Sequence, residues 1–188
     1  MTSITVATDG ACKKNPGPTG WAWVTEDGRW EAGSLAAGTN NVGELLALLN
    51  ALVAFADVDG LTVLVDSSYV IDSYTKWADS HARRGWVTAA GTPVANRQLL
   101  EELLAARDAR RSRGLADAVL VKVKGHSGNV LNAWADIKAV EASNAGARGV
   151  EDVRGTSYGD AAADTTALPA GATIRKPAPR RRGPYSRR

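Results

Sequence analysis

Residues 3–25, SITVATDGACKKNPGPTGWAWVT, decide the fold. Ser3–Ala11 carries β-branched Ile4 and Val6 at alternate positions and reads as a strand ending at Asp9. KKNPGPTG (13–20) is a Pro/Gly-rich loop, and WAWVT (21–25) reads as a second strand. Glu26-Asp27-Gly28 has turn chemistry and lets Arg29–Leu35 return as a third, antiparallel strand.

Beyond this meander the periodicity changes. Gly38-Thr39-Asn40-Asn41 supplies N-cap residues for a helix starting near Val42. Leu45, Leu48, Leu49, Leu52 and Phe55 form its apolar face. LTVLV (61–65) is uninterrupted and β-branched, as a buried parallel strand requires. Ser67, Ser68 and Tyr69 lead into a helix to about Ser80, and HARRGW (81–86) is a basic break. A charged helix over 96–112, a strand over 118–123 and a helix over 132–142 complete the pattern. This succession of elements predicts an α/β fold. Its mixed five-stranded sheet has three antiparallel strands, then two parallel ones, and is flanked by helices.

Residues 146–188 thin into Gly, Ala, Thr, Asp, Pro and Arg, too few large apolar groups to offset chain entropy. The expected organisation is a domain over 1–145 and a disordered basic tail over 146–188. Of the 23 basic residues, seven lie in 175–188, which holds no acid. The rest of the chain therefore sets 16 bases against 20 acids, so bulk charge gives the body no claim on nucleic acid. Grip on a polyanion must come from local patches, bound cations or the tail. No apolar run approaches the roughly 20 residues that span a bilayer, so no membrane partner is expected. The first residues lack a basic stretch followed by an apolar one, and the single Cys12 precludes an internal disulfide; both favour a cytoplasmic location.

Four acids stand at positions with a common logic. Asp9 ends the first strand and Asp66 the fourth; if those strands are neighbours, both carboxylates emerge at one sheet edge. Glu44 lies in the first turn of the first helix and Asp136 near the start of the last. Hard oxygen donors gathered this way suit Mg²⁺. Capping or simple surface exposure is the alternative for any one of them.

The surrounding residues discriminate. TDGACKKNPGPTGWA (8–22), TNNVGELLALLNAL (39–52), VDSSYVI (65–71) and VKGHSGNVLNAWAD (123–136) occur in this order. They resemble four motifs of the type 1 ribonucleases H, the bacterial kind: T-D-G-x-x-x-x-N-P-G-x-x-G, T-N-N-x-x-E, D-S-x-Y-V and K-G-H-x-G-x-x-x-N-x-x-x-D. The resemblance covers about residues 3–142.

That resemblance implies an endoribonuclease that hydrolyses the RNA strand of RNA–DNA hybrids, leaving 3′-hydroxyl and 5′-phosphate ends. It implies two Mg²⁺ ions, with Mn²⁺ as a possible substitute, held by Asp9, Glu44, Asp66 and Asp136. His126, in a loop that is mobile in family members, would assist proton transfer or product release. Asn15, Asn40 and Asn41 match positions that contact the hybrid, with turn and cap duty as the alternative for the last two. Ser68 stands where relatives often carry glutamine, and Asn132 matches a supporting asparagine. Trp77, Arg83, Arg84 and Trp86 match a basic handle that meets the DNA backbone, although core packing is an alternative for Trp86. Asn96 matches a residue near the DNA phosphate. Departures are His81 and Leu100, each where tryptophan is common. Lys122 and Lys124 are expected to flank a strand rather than catalyse, and Cys12 to be a packed thiol. A monomer is expected, with the tail contacting nucleic acid non-specifically or serving as a plain terminus. A catalytically silent hybrid-binding module and a strand-transfer enzyme on the same fold, such as a transposase, are the competing readings.

Overall fold

The computed structural model describes residues 3–125, 129–146 and 153–155. Strands β1 (Ser3–Cys12), β2 (Gly17–Thr25) and β3 (Trp30–Gly38) form the antiparallel meander, and β1 continues three residues past Asp9. Helix α1 (Asn40–Ala54) leads to β4 (Gly60–Val65), which pairs parallel with β1. Then come α2 (Ser68–Asp72), a π-helical turn (Ser73–Trp77) and α3 (Ala78–Arg83). Helix α4 (Arg97–Ser112), β5 (Val119–Lys122) and α5 (Val130–Gly146) follow, with β5 parallel to β4.

The five strands run in the expected directions. A short β6 (Val153–Gly155) adds antiparallel to β3, giving the order β5-β4-β1-β2-β3-β6. It lies in the stretch whose composition argued against structure. Backbone pairing to an open sheet edge does not need the large apolar side chains on which that argument rested. Residues 147–152 and 156–188, with the rest of the expected tail, lie outside the described residues. Among the described residues no helix is long and apolar enough to cross a membrane.

Alternating side chains divide the core between the two faces of the sheet. Val6 joins Leu45, Leu48, Leu52, Val63, Leu99 and Leu103 on the face covered by α1 and α4. Ala7 joins Ala22, Ala32, Ala135 and Ala139 on the face covered by α5. The small residues on that second face let α5 lie close against β2. A Cβ on Gly20 would come 2.1 Å from the Ala139 carbonyl oxygen. This close seating fixes the position of Asp136, one turn earlier on α5.

Two buried cations tie connections together. Arg110, 1% exposed, donates to the carbonyls of Phe55, Val58 and Ala116, closing the links into β4 and β5. Arg107 holds α3 to α4 through a bidentate pair with Asp79 at 2.6 and 2.8 Å.

Candidate active site

In the parallel β1–β4 ladder Thr8 pairs with Val65. The next residues, Asp9 and Asp66, therefore stand side by side where β4 ends, while β1 runs on against β2. Asp9 is 8% exposed and accepts one hydrogen bond, from the Gly10 amide at 2.7 Å. Burial, and then the charges of Asp66, Asp136 and Glu44, push its pKa up to about 8.

Glu44 arrives by a close approach of backbone to backbone. A Cβ on Gly10 would lie 2.2 Å from the Glu44 nitrogen, so the first turn of α1 sits directly on β1. Thr39 caps that turn, its Oγ1 accepting from the Val42 amide at 3.3 Å. Asn40 Nδ2 donates to Glu44 Oε1 at 2.8 Å, and Ser67 Oγ donates to Oε2 at 2.5 Å. Asn15 reaches across from the β1–β2 loop, its Oδ1 accepting from the Asn40 amide at 3.2 Å. Burial raises the Glu44 pKa, against the lowering effect of Ser67, Lys122 and Asn40.

The four acids and the amides Asn40 and Asn132 line one cleft of about 370 Å³. Asn132 is 4% exposed, and its Oδ1 is buried with no hydrogen-bond partner among the described residues. Among the described residues, no group of three or more acidic, histidine or cysteine side chains is tight enough to hold a metal ion as it stands. The donor chemistry nevertheless fits a divalent cation. All four acids offer hard oxygens, and their mutual repulsion is the cost a cation would remove. Mg²⁺ commonly takes one or two carboxylates and completes its shell with water and phosphate.

The remaining candidates are scattered. Asn41 is exposed, whereas Asn40 points inward to Glu44. Trp77 is 41% exposed, with its ring 5.9 Å edge-on to Tyr69, and Arg83 and Arg84 are exposed. Trp86 is 9% exposed and packs in the core, with the Arg97 guanidinium 5.6 Å over its ring. Of the two readings of this residue, its burial favours packing. Asn96 precedes α4 in a left-handed conformation, and its Nδ2 donates to the Tyr69 hydroxyl at 3.0 Å. Leu100 is buried, so no larger side chain emerges there. Ser68 accepts from Lys122 Nζ at 2.8 Å. Cys12 is half-buried, 3.4 Å from the Gly38 carbonyl. His126 lies outside the described residues.

Sequence reasoning missed two members of this network, Ser67 and Lys122. Ser67 also caps α2 by accepting from Val70, a role its position after a strand could have signalled. Lys122 carried no such signal.

The profile of RNase H matches residues 1–144. The chain belongs to the RNase H family. It is 39% identical over 142 residues to the ribonuclease H of Tropheryma whipplei (strain Twist), an alignment taking in 75% of this chain and 84% of that one. It is 51% identical over 110 residues to ribonuclease HI of Streptomyces coelicolor, covering 54% of this chain and 47% of that relative. Among solved structures it is similar to LC9-RNase H1, a type 1 RNase H with the type 2 active-site motif. The TM-score there is 0.60 at 24% identity, over 77% of this chain and 74% of that one. It is also similar to the foamy viral protease-reverse transcriptase solved with an RNA/DNA hybrid, with TM-score 0.62 at 17% identity over 77% of this chain and 20% of that one. The last two likenesses concern the fold. The family match and the bacterial relatives make this protein an RNase H enzyme of the bacterial kind.

Proposed function

We propose that the protein hydrolyses the RNA strand of RNA–DNA hybrids, with Asp9, Glu44, Asp66 and Asp136 holding two divalent metal ions, Mg²⁺ or Mn²⁺. The observation that carries this reading is the convergence of four carboxylates from β1, α1, the end of β4 and α5 on one cleft. When bound, the ions supply an activated water and stabilise the leaving 3′ oxygen, giving 3′-hydroxyl and 5′-phosphate ends. The chain's own part is preorganisation. Asn40 and Ser67 orient the Glu44 carboxylate, the β1–β4 register sets Asp9 beside Asp66, and the seating of α5 sets Asp136. The Asn132 side chain lines the same cleft and is the proposed supporting amide.

Asn15, Asn40 and Asn41 are the proposed contacts to the RNA minor groove. Trp77, Arg83, Arg84 and Asn96 are the proposed contacts to the DNA backbone. The foamy viral neighbour that shares this fold is solved in complex with an RNA/DNA hybrid. His126 is the proposed proton-transfer or release group. We place the enzyme in the cytoplasm as a monomer.

The basic run 175–188 supplies charge that the acidic body lacks, and serves as a non-specific nucleic-acid tether. Gly155 pairs with Trp30, and Val153 stands in the same row across the sheet as Asp9, so β6 ends three strands across from β1. About 20 residues then precede Arg175, at most ~70 Å of chain, enough to reach duplex beyond the cleft.

The test is cleavage of matched RNA–DNA, RNA–RNA and DNA–DNA duplexes with and without Mg²⁺, comparing wild type with Asp66→Asn. Cleavage of the hybrid alone, dependent on Mg²⁺ and on Asp66, supports the proposal; equal cleavage of all three duplexes overturns it.

A further inference from the structure

Lys122, the last residue of β5, sends its ammonium across to the segment leaving β4. Its Nζ donates to the Asp66 carbonyl oxygen and, at 2.8 Å, to Ser68 Oγ. These two bonds span a three-residue turn of main chain. In the middle of that turn is Ser67, whose hydroxyl donates to Glu44 Oε2. One cation on a neighbouring strand thus braces the piece of backbone that presents Asp66 and orients Glu44.

The arrangement has reasons in the fold. The β4–β5 register pairs Val65 with Lys122, and the ladder continues one step as the Val123 amide donates to the Val65 carbonyl at 3.0 Å. Regular pairing stops there, so the Asp66–Ser68 backbone has no further strand to hold it. A lysine side chain with three donors is long enough to take over that task. Gly125, two residues beyond that ladder bond, passes the Asp66 carboxylate so closely that a Cβ would lie 2.9 Å from Oδ2. The end of β5 and the segment after it therefore hold Asp66 at two points, with Lys122 on its carbonyl and Gly125 against its carboxylate.

We infer that Lys122 is a positioning residue for the acid cleft, bracing the Asp66–Ser68 turn so that Asp66 and Glu44 are set for divalent cations. The inference rests on the proposed metal role of those acids. It makes a prediction whose sign separates bracing from plain charge. An ammonium near four carboxylates repels a cation, so if Lys122 acted only through its charge, Lys122→Met would tighten Mg²⁺ binding. If Lys122 braces the turn, the same variant weakens it. Residues that orient a ligating group typically contribute 10- to 100-fold in metal affinity.

The experiment is Mg²⁺ titration calorimetry on the substrate-free full chain for wild type, Lys122→Met, Lys122→Arg and Asp66→Asn, with thermal melting and hybrid-cleavage kinetics on each. Bracing predicts about a tenfold weaker Mg²⁺ association for Lys122→Met, a lower kcat, and KM and melting temperature near wild type. Lys122→Arg, which keeps donors at a similar reach, should recover most of both losses. Wild-type or tighter Mg²⁺ binding by Lys122→Met overturns the inference. So does a rise in KM alone, which would make Lys122 a substrate contact, or a large drop in melting temperature that accompanies all other losses. Asp66→Asn reports separately on the underlying reading. If it binds Mg²⁺ and cleaves like wild type, the metal role of the cleft fails irrespective of Lys122.

Discussion

Gly10 and Glu44 belong to different elements, yet a Cβ on the glycine would sit 2.2 Å from the Glu44 backbone nitrogen. The contact is backbone on backbone, so no rotamer change relieves it. Gly10→Ala should push the start of α1 away from β1 and carry the Glu44 carboxylate out of the cleft. Overpacking of this kind costs about 1–3 kcal/mol, which urea denaturation will measure. The kcat on hybrid should fall more steeply than stability does, because a misplacement near 1 Å is enough to lose about 100-fold.

Asp9 has a pKa pushed up to about 8, chiefly by burial and then by its acidic neighbours. An unfolded aspartate titrates near 4, so between about pH 4 and 8 the folded state holds a proton that the unfolded state has lost. The unfolded state is therefore favoured increasingly as pH rises through that window. In the presence of a chelator, the melting temperature should fall from pH 5 to pH 8, and Asp9→Asn should flatten the slope. The same variant should be inactive at every pH. A chelated wild type that becomes more stable over this range would contradict the electrostatic picture of the cleft.

Metal binding should displace that proton. At pH 7 the Mg²⁺ binding enthalpy should depend on the ionisation enthalpy of the buffer, reporting proton release in wild type but far less in Asp9→Asn. Calorimetry in two buffers decides it.

Asp79 is held below the usual carboxylate range by its bonds to Arg107, whose own side chain is 7% exposed. Its stabilising contribution is fully present above the ordinary aspartate pKa and is lost as pH falls through the lowered value. Asp79→Asn should cost about 1–3 kcal/mol at pH 7, because it leaves a buried guanidinium short of its charged partner. The difference from wild type should shrink towards pH 3. Chemical denaturation at the two pH values measures both. Since the pair joins α3, which leads to Arg83 and Arg84, KM for the hybrid should also rise.

Removing residues 156–188 keeps β6 and discards the basic run. The truncated enzyme should retain kcat while KM rises at moderate salt, and the slope of log affinity against log salt should become shallower. Equal hybrid binding by both forms at every salt concentration would end the tether proposal.

Much of this was written in the primary structure. The five principal strands, their order, and the four acids could be read from alternation, turn residues and four local motifs. In each of these the signal lies within a few neighbouring residues. The signals that stayed ambiguous were those where one residue type serves two environments. Trp86 sits in a basic stretch beside arginines, and nothing local distinguishes a ring laid on a phosphate backbone from one buried under Arg97. The strand at Val153–Gly155 was missed because its pairing comes from the open edge of β3, more than a hundred residues earlier.

The sequence by itself determined the family, the fold class and the identity of the acids, because those depend on local pattern and motif spacing. Only the tertiary structure decided how the acids are held. The register of β1 against β4 puts Asp9 beside Asp66, and the Gly10 contact brings Glu44 onto the strand. Ser67 and Lys122 enter the network from segments more than fifty residues apart. Hydrogen bonds and electrostatic repulsion act across space rather than along the chain, so the protonated Asp9 and the braced Asp66 turn exist only once the sheet has formed.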